Sequence, residues 1–191
     1  AYRSGSDLKV IKCNDPYCAG QKSTNTVAFF PSLYGTLYGM VLGFDGNPRI
    51  LYDPGTSSGN AGLKISTCAD PACGSVSSSV SLTQNNTHAY LALGSDGYPI
   101  IAYSAGYINF DEMHFIKCGN SDCSSGNTDV VANLIAGAYT TMFSPFLMVG
   151  SDAKPIIFYH TADGYNNVDT FRFVHCGNAN CNSNNSATVI A

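Results

Sequence analysis

The strongest constraint on this chain of 191 residues is a pair of cysteines enclosing four residues, repeated four times: Cys13 and Cys18, Cys68 and Cys73, Cys118 and Cys123, Cys176 and Cys181. The first cysteines of successive pairs stand 55, 50 and 58 positions apart, a period with variable loops. A period of this size marks one supersecondary unit copied in tandem, with neighbouring units burying each other's apolar faces. A strand-like hexamer leads into every pair: LKVIKC at 8–13, LKISTC at 63–68, MHFIKC at 113–118 and FRFVHC at 171–176. We term this strand c.

Upstream lies a second recurring block, Gly43 to Pro48, Gly94 to Pro99 and Gly150 to Pro155, centred on Asp45-Gly46, Asp96-Gly97 and Asp152-Ala153. Asp-Gly is a turn signal. Each block runs into a short β-prone stretch ending in Tyr, at 50–52, 100–103 and 156–159, with Pro at the strand entrance, where a missing N–H is tolerated. This is strand b. Strand a precedes the turn at 38–42, 90–93 and 146–149, and strand d follows the cysteines at 26–30, 76–82, 129–135 and 187–190. The expected fold is therefore all-β. It consists of about four propeller-like, four-stranded antiparallel blades, closed or open and superhelical, with one local disulfide per blade. They form a single repeat domain over 1–191, with repeats at about 1–30 (partial), 36–82, 88–135 and 144–191. No segment carries a helical apolar period with caps, and the chain has a single Glu, so helix is expected to be near absent.

The first repeat is partial, because Ala1-Tyr2 aligns with Ala102-Tyr103 at the end of a strand b. A neighbouring subunit or further chain would complete that sheet by strand addition, and a truncated chain is the alternative. The start at Ala1, without Met or an apolar leader, fits a processed chain or a portion of a longer one.

Eight cysteines in four pairs would suit thiolate metal sites only if two pairs converged. Copies about 50 residues apart, set on separate blades, do not converge. Disulfides Cys13–Cys18, Cys68–Cys73, Cys118–Cys123 and Cys176–Cys181 are the expectation, and they imply an oxidising compartment. The spacing also lacks the Cys-x-x-Cys of thiol redox enzymes.

Only 12% of residues are charged, leaving a polar but weakly charged surface suited to glycan or to neighbours. Nine scattered Lys and Arg and a net charge of −4 exclude a nucleic-acid surface, which needs concentrated cations. No apolar run approaches the ~20 residues of a membrane helix. The sequons begin at Asn85 and Asn184, in connections expected to be exposed, and Ser/Thr clusters occupy 56–58 and 75–81.

Strand c carries a basic side chain at its second position in every copy, Lys9, Lys64, His114 and Arg172, and strand b offers Tyr2, Tyr52, Tyr103 and Tyr159. These are expected to pair structurally, as cation–π neighbours, ahead of forming a basic ring for an acidic sugar. Asp45, Asp96 and Asp152 supply one carboxylate per turn, too few for calcium and well suited to Asx turns. The best local carboxylate pair, Asp111 and Glu112, falls in a longer loop before strand c with His114 beyond it, and no other copy repeats it. Tyr34, Tyr38, Tyr107 and Tyr165 in or near loops would serve as sugar platforms in a lectin. Three arginines, Arg3, Arg49 and Arg172, make no carboxylate-binding triad, and no nucleophile elbow, phosphate loop or zinc motif is present.

The Gly-x-Asp-Gly-x-Pro-x-Ile-x-Tyr block, the Leu-Lys-Val strand and the Cys-x4-Cys loop together resemble secreted bacterial tandem-repeat proteins of uncharacterised function. The resemblance covers essentially the whole chain. Asp152-Ala153-Lys154 departs from the turn pattern, and His114 and Arg172 replace Lys. It implies an extracellular repeat array and carries over no catalytic residue. The functional expectation is a non-enzymatic extracellular or cell-surface structural protein, a self-assembling filament or surface-layer subunit, glycosylated. Its partners are further copies of itself and glycans, with no catalytic residue, metal or cofactor. A glycan-binding propeller lectin or adhesin is the alternative, and a glycoside hydrolase-like propeller the third.

Overall fold

The computed structural model describes residues 1–57, 59, 61–84, 88–107, 110–136, 140–163 and 168–190. These residues form strands and turns, with no helix among them. Sheet 1 has three strands in the order β1 (Tyr2–Ser4), β2 (Asp7–Cys13), β3 (Lys22–Phe29). Sheet 2 contains β4 (Thr36–Leu42), β5 (Pro48–Asp53), β6 (Lys64–Cys68) and β7 (Val76–Ser81) in sequence order. Sheet 3 contains β8 (His88–Leu93), β9 (Pro99–Tyr107), β10 (Phe110–Lys117) and β11 (Thr128–Ala136). Sheet 4 contains β12 (Thr140–Val149), β13 (Pro155–Asp163), β14 (Val168–His175) and β15 (Ser186–Val189). Every sheet is an antiparallel meander, so the chain is an all-β array of propeller-like blades whose first member is one strand short.

Local chemistry explains the joints. In each a–b turn two backbone hydrogen bonds close the reversal, as in Gly94 N–H to Tyr98 O and Gly97 N–H to Gly94 O. The Asp carboxylate accepts from the amide two residues on, Asn47, Tyr98 and Lys154 respectively. The residue after Asp sits at positive φ, 76° at Gly46, 79° at Gly97 and 63° at Ala153, where a Cβ is strained. Pro48, Pro99 and Pro155 are the first residues of β5, β9 and β13, so no ladder donor is lost inside these strands.

All four c–d connections carry the expected disulfide. In each loop the second cysteine takes a left-handed φ between 54° and 58° and donates its N–H to the carbonyl three residues back. That residue is Asp15, Asp70, Asn120 or Asn178, and its side chain accepts further loop amides, as Asp15 does from Tyr17, Ala19 and Gly20. The motif is Cys-x-Asp/Asn-x-x-Cys, with the Asx side chain acting as a cap inside the disulfide ring.

Two stretches differ from the sequence reading. Asp111 and Glu112, expected in the longer loop before strand c, continue β10, where they pair with Gly106 and Ala105 of β9 and with Ile135 and Leu134 of β11. A strand paired on both sides overrides poor local propensity. Likewise Tyr107, expected in or near a loop, belongs to β9, while Tyr38 lies in β4 as its place at the start of strand a predicts. Strand β12 tolerates Pro145 because it is an edge strand with a register shift between Phe143 and Phe146.

The chain forms two compact units, Ala1–Gln84 and Asn85–Ala191, each with two sheets. In the first unit, Leu8 and Val10 of sheet 1 share a core with Ile50, Tyr52 and the Cys68–Cys73 disulfide of sheet 2, with Phe30 completing it. In the second, Ala102, Met113 and Phe115 of sheet 3 share a core with Leu147, Ile157, Tyr159 and the Cys176–Cys181 disulfide of sheet 4.

Candidate functional site

The repeated basic and aromatic residues are direct cross-strand partners in every sheet: Tyr2 opposite Lys9, Tyr52 opposite Lys64, Tyr103 opposite His114, and Tyr159 opposite Arg172. Directly opposed side chains on one face stand close enough to interact. What each pair does differs. His114 stacks on Tyr103 with ring centroids 4.8 Å apart. Lys9 instead reaches Asp7 at 3.3 Å, and the Tyr52 hydroxyl contacts Ser66 and Ser79. Asn133 donates to the Tyr159 hydroxyl, and burial raises the pKa of that phenol. Cations sit over rings elsewhere, Arg3 over Phe30 at 4.9 Å and Lys117 over Tyr98 at 5.1 Å.

The third sheet gathers the densest polar cluster. His114 Nε2 lies 2.8 Å from Glu112 Oε2 and Nδ1 lies 3.1 Å from Asp129 Oδ1, while the Tyr103 hydroxyl donates to Asp129 Oδ2 at 2.6 Å. Burial works against a charged imidazole here. The hydrogen bonds and charges of Asp129 and Glu112 outweigh it and hold the His114 pKa above its ordinary value. Asp129 was invisible to local reading because it sits 15 residues from His114 and meets it only through the β10–β11 register.

The a–b turn carboxylates also hold cations. Asp45 binds Arg49, Asp96 binds Lys117 at 2.6 Å and Asp152 lies 3.6 Å from Lys154, with the His175 imidazole 3.0 Å from the same carboxylate. The Arg49 hydrogen bond is the largest influence lowering the Asp45 pKa. Lys117 and His175 each stand one residue before the first cysteine of their pair, and the same position in sheet 1 is Lys12. Sheet 1 has no a–b turn beside it, and Lys12 is exposed without an acidic partner among the described residues.

The edge of β2 is correspondingly open. Asn14 N–H donates to Gln21 O, so the antiparallel alternation turns the N–H and C=O groups of Cys13 and Ile11 away from β3. In sheets 3 and 4 the equivalent amides, Cys118 N–H and Cys176 N–H, donate at 3.0 Å to Pro99 O and Pro155 O of strand b. Along the open edge runs a groove of about 340 Å³ between Ile11, Lys12 and Cys13 of β2 and Met40 and Leu42 of β4, with Pro71 at its side. Its walls are mostly apolar, and Lys12 on it has no acidic partner among the described residues.

Of the two sequons, Asn184 is exposed in the c–d loop of sheet 4, and Asn85 lies outside the described residues, as does Tyr165. Among the described residues no group of His, Cys, Asp and Glu is arranged to hold a metal ion, and no helix is long and apolar enough to cross a membrane.

No family model matches the chain, and no curated protein is similar to it. Among solved structures it is similar to the endo-arabinase from Bacteroides thetaiotaomicron, with 11% identity and a TM-score of 0.49, over 83% of this chain and 66% of that one. The expectation that the chain is not an enzyme is corrected: the solved structure it is similar to is an enzyme by its name. Absent local motifs do not exclude activity, because catalytic carboxylates delivered by separate strands leave no spacing signal in a sequence. At this identity the likeness assigns neither a reaction nor a residue.

Proposed function

We propose that this chain is a structural subunit of an extracellular assembly, a filament or surface layer, in which a neighbour completes the unfinished first sheet of each copy. The observation that carries the reading is the β2 groove, where outward-facing backbone groups of Ile11 and Cys13 flank apolar walls and Lys12. A free strand edge of this kind pairs with an added strand. The added strand is one that brings an acidic turn to Lys12, as Asp96 does to Lys117. Four disulfides support the extracellular setting, and the exposed Asn184 supports glycosylation.

Electron microscopy and intact mass on native material test this reading. Regular filaments or sheets with mass in excess of the bare chain are expected. Ile11→Pro removes an outward N–H and leaves the β2–β3 ladder intact, so it is expected to abolish assembly without unfolding the subunit. Discrete folded monomers of the unaltered chain at high concentration would overturn the proposal.

A second reading rests on the Glu112, His114 and Asp129 cluster, whose paired carboxylates and imidazole are groups that recognise sugar hydroxyls. Binding on a glycan array that disappears in Asp129→Asn supports it, and release of reducing sugar would extend it to glycoside hydrolysis.

A further inference from the structure

Sheets 3 and 4 lie in one compact unit and share one register, so their side chains correspond position by position. Tyr103 opposite His114 in sheet 3 corresponds to Tyr159 opposite Arg172 in sheet 4. Two residues earlier on the same strand, Glu112 opposite Ala105 corresponds to Thr170 opposite Thr161. On the following strand, Asp129 opposite Ile116 corresponds to Ala187 opposite Val174. The basic position is kept, while both carboxylates that hold it in sheet 3 give way to neutral side chains in sheet 4.

This change leaves donors without acceptors. In sheet 3 the Tyr103 hydroxyl donates to Asp129, whose other oxygen faces His114. In sheet 4 Asn133 donates to the Tyr159 oxygen, so the phenol still has its own proton to give, and no described residue accepts it. Arg172 is half-buried and makes no hydrogen bond or ion pair with the described residues, and its Nε is buried without a partner. The two orphaned donors are neighbours: burial raises the Tyr159 pKa, while the Asn133 hydrogen bond and the charge of Arg172 act against that rise. Both stand in the cleft between the two sheets. Tyr159 and Val174, on the same face as Arg172, pack on Met113, Phe115 and Ala132 of sheet 3, and Asn133 reaches across from β11. A buried donor that has given up water and gained no partner costs free energy, so such groups call for an acceptor.

We propose that Arg172 and the Tyr159 hydroxyl bind the carboxylate of an acidic sugar, which takes the place that Asp129 holds in sheet 3. A guanidinium offers a carboxylate two parallel N–H donors, and the phenol O–H adds a third. Arginine also stays charged where histidine does not, so the site needs no internal carboxylate to keep its cation. Ala187 is exposed, and the space that the Asp129 side chain fills in sheet 3 is open at this position. One cation matches a monoanion, so a uronate fits where a phosphate dianion would stay half-neutralised. Asn133 and Thr170, both half-buried beside the pair, are the neutral polar groups that meet ring hydroxyls. Binding here requires no second copy of the chain and does not involve the His114 cluster.

NMR of the 15N-labelled full chain tests this. The chain has three arginines, and Arg172→Lys identifies the Arg172 Nε–H signal by its loss. Sodium D-galacturonate is expected to move that signal saturably and to slow its exchange with water. Neutral D-galactose, and sodium chloride at equal ionic strength, are expected to leave it in place. Ala187→Asp rebuilds the sheet 3 carboxylate within the chain. It is expected to shift the Arg172 signal without ligand and to lower galacturonate affinity by about tenfold or more, with a retained melting transition showing that it folds. Galacturonate affinity unchanged in Ala187→Asp and in Arg172→Gln would overturn the proposal. An equal shift with chloride would mean an adventitious ion only and would overturn it too. Saturable binding of N-acetylaspartate without binding of galacturonate would overturn the acidic sugar as the ligand and point to an acidic peptide.

Discussion

At the residue scale, the chemistry is set by which strand brings which side chain opposite another. His114 sits between Glu112 on its own strand and Asp129 on the next, and both favour its charged form. An unfolded histidine titrates near pH 6.5. Because the folded pKa lies above that value, the stabilisation is fully present below about pH 6.5 and is lost as pH rises through the folded pKa. The thermal midpoint is expected to fall over that window. Asp129→Asn should lower the His114 pKa and flatten this dependence, which an NMR titration of the imidazole and melts on either side of neutrality would show. A midpoint insensitive to pH there, with an unchanged His114 titration in Asp129→Asn, would remove the charged-triad account.

At the element scale, the strands follow from short-range signals. Strand b starts at a proline in sheets 2 to 4, strand c ends at a cysteine or one residue before it, and the a–b turn needs one residue at positive φ. Sheets 2 and 3 use Gly46 and Gly97 there, and sheet 4 uses Ala153 at 63°. Relief of the Cβ strain, reduced by the greater unfolded-state entropy of glycine, predicts that Ala153→Gly stabilises the protein by about 0.5–1 kcal/mol. Chemical denaturation would register this as a higher midpoint at unchanged slope. The positions and order of the strands were legible, as were the disulfides, because turn chemistry and cysteine spacing are local. The lengths of β9 and β10 were not. Asp111 and Glu112 are poor strand formers, and their extension is held by Gly106 and Ala105 on one side and Ile135 and Leu134 on the other, partners that no window of sequence contains.

At the scale of the whole molecule, burial separates the four disulfides. Cys13 is half-buried and Cys18 exposed, while Cys68–Cys73, Cys118–Cys123 and Cys176–Cys181 are buried. Mild reduction of the free subunit is therefore expected to open Cys13–Cys18 first, and assembly is expected to protect it, as alkylation and peptide mass mapping would show. Simultaneous reduction of all four would contradict the burial difference. The sequence by itself determined the repeat, the meander within each sheet, the loop disulfides and the opposition of a basic residue to a tyrosine, because each depends on spacing along one chain and on a two-residue strand period. Only the tertiary structure decided that Asp129 joins Glu112 at His114, that Lys12 lacks the acidic turn its equivalents have, and that Tyr2 and Phe158 lie open where their counterparts are buried. Burial is a property of the neighbours a residue meets in space, and spacing along one chain does not give those neighbours even where the residues of a repeat are equivalent.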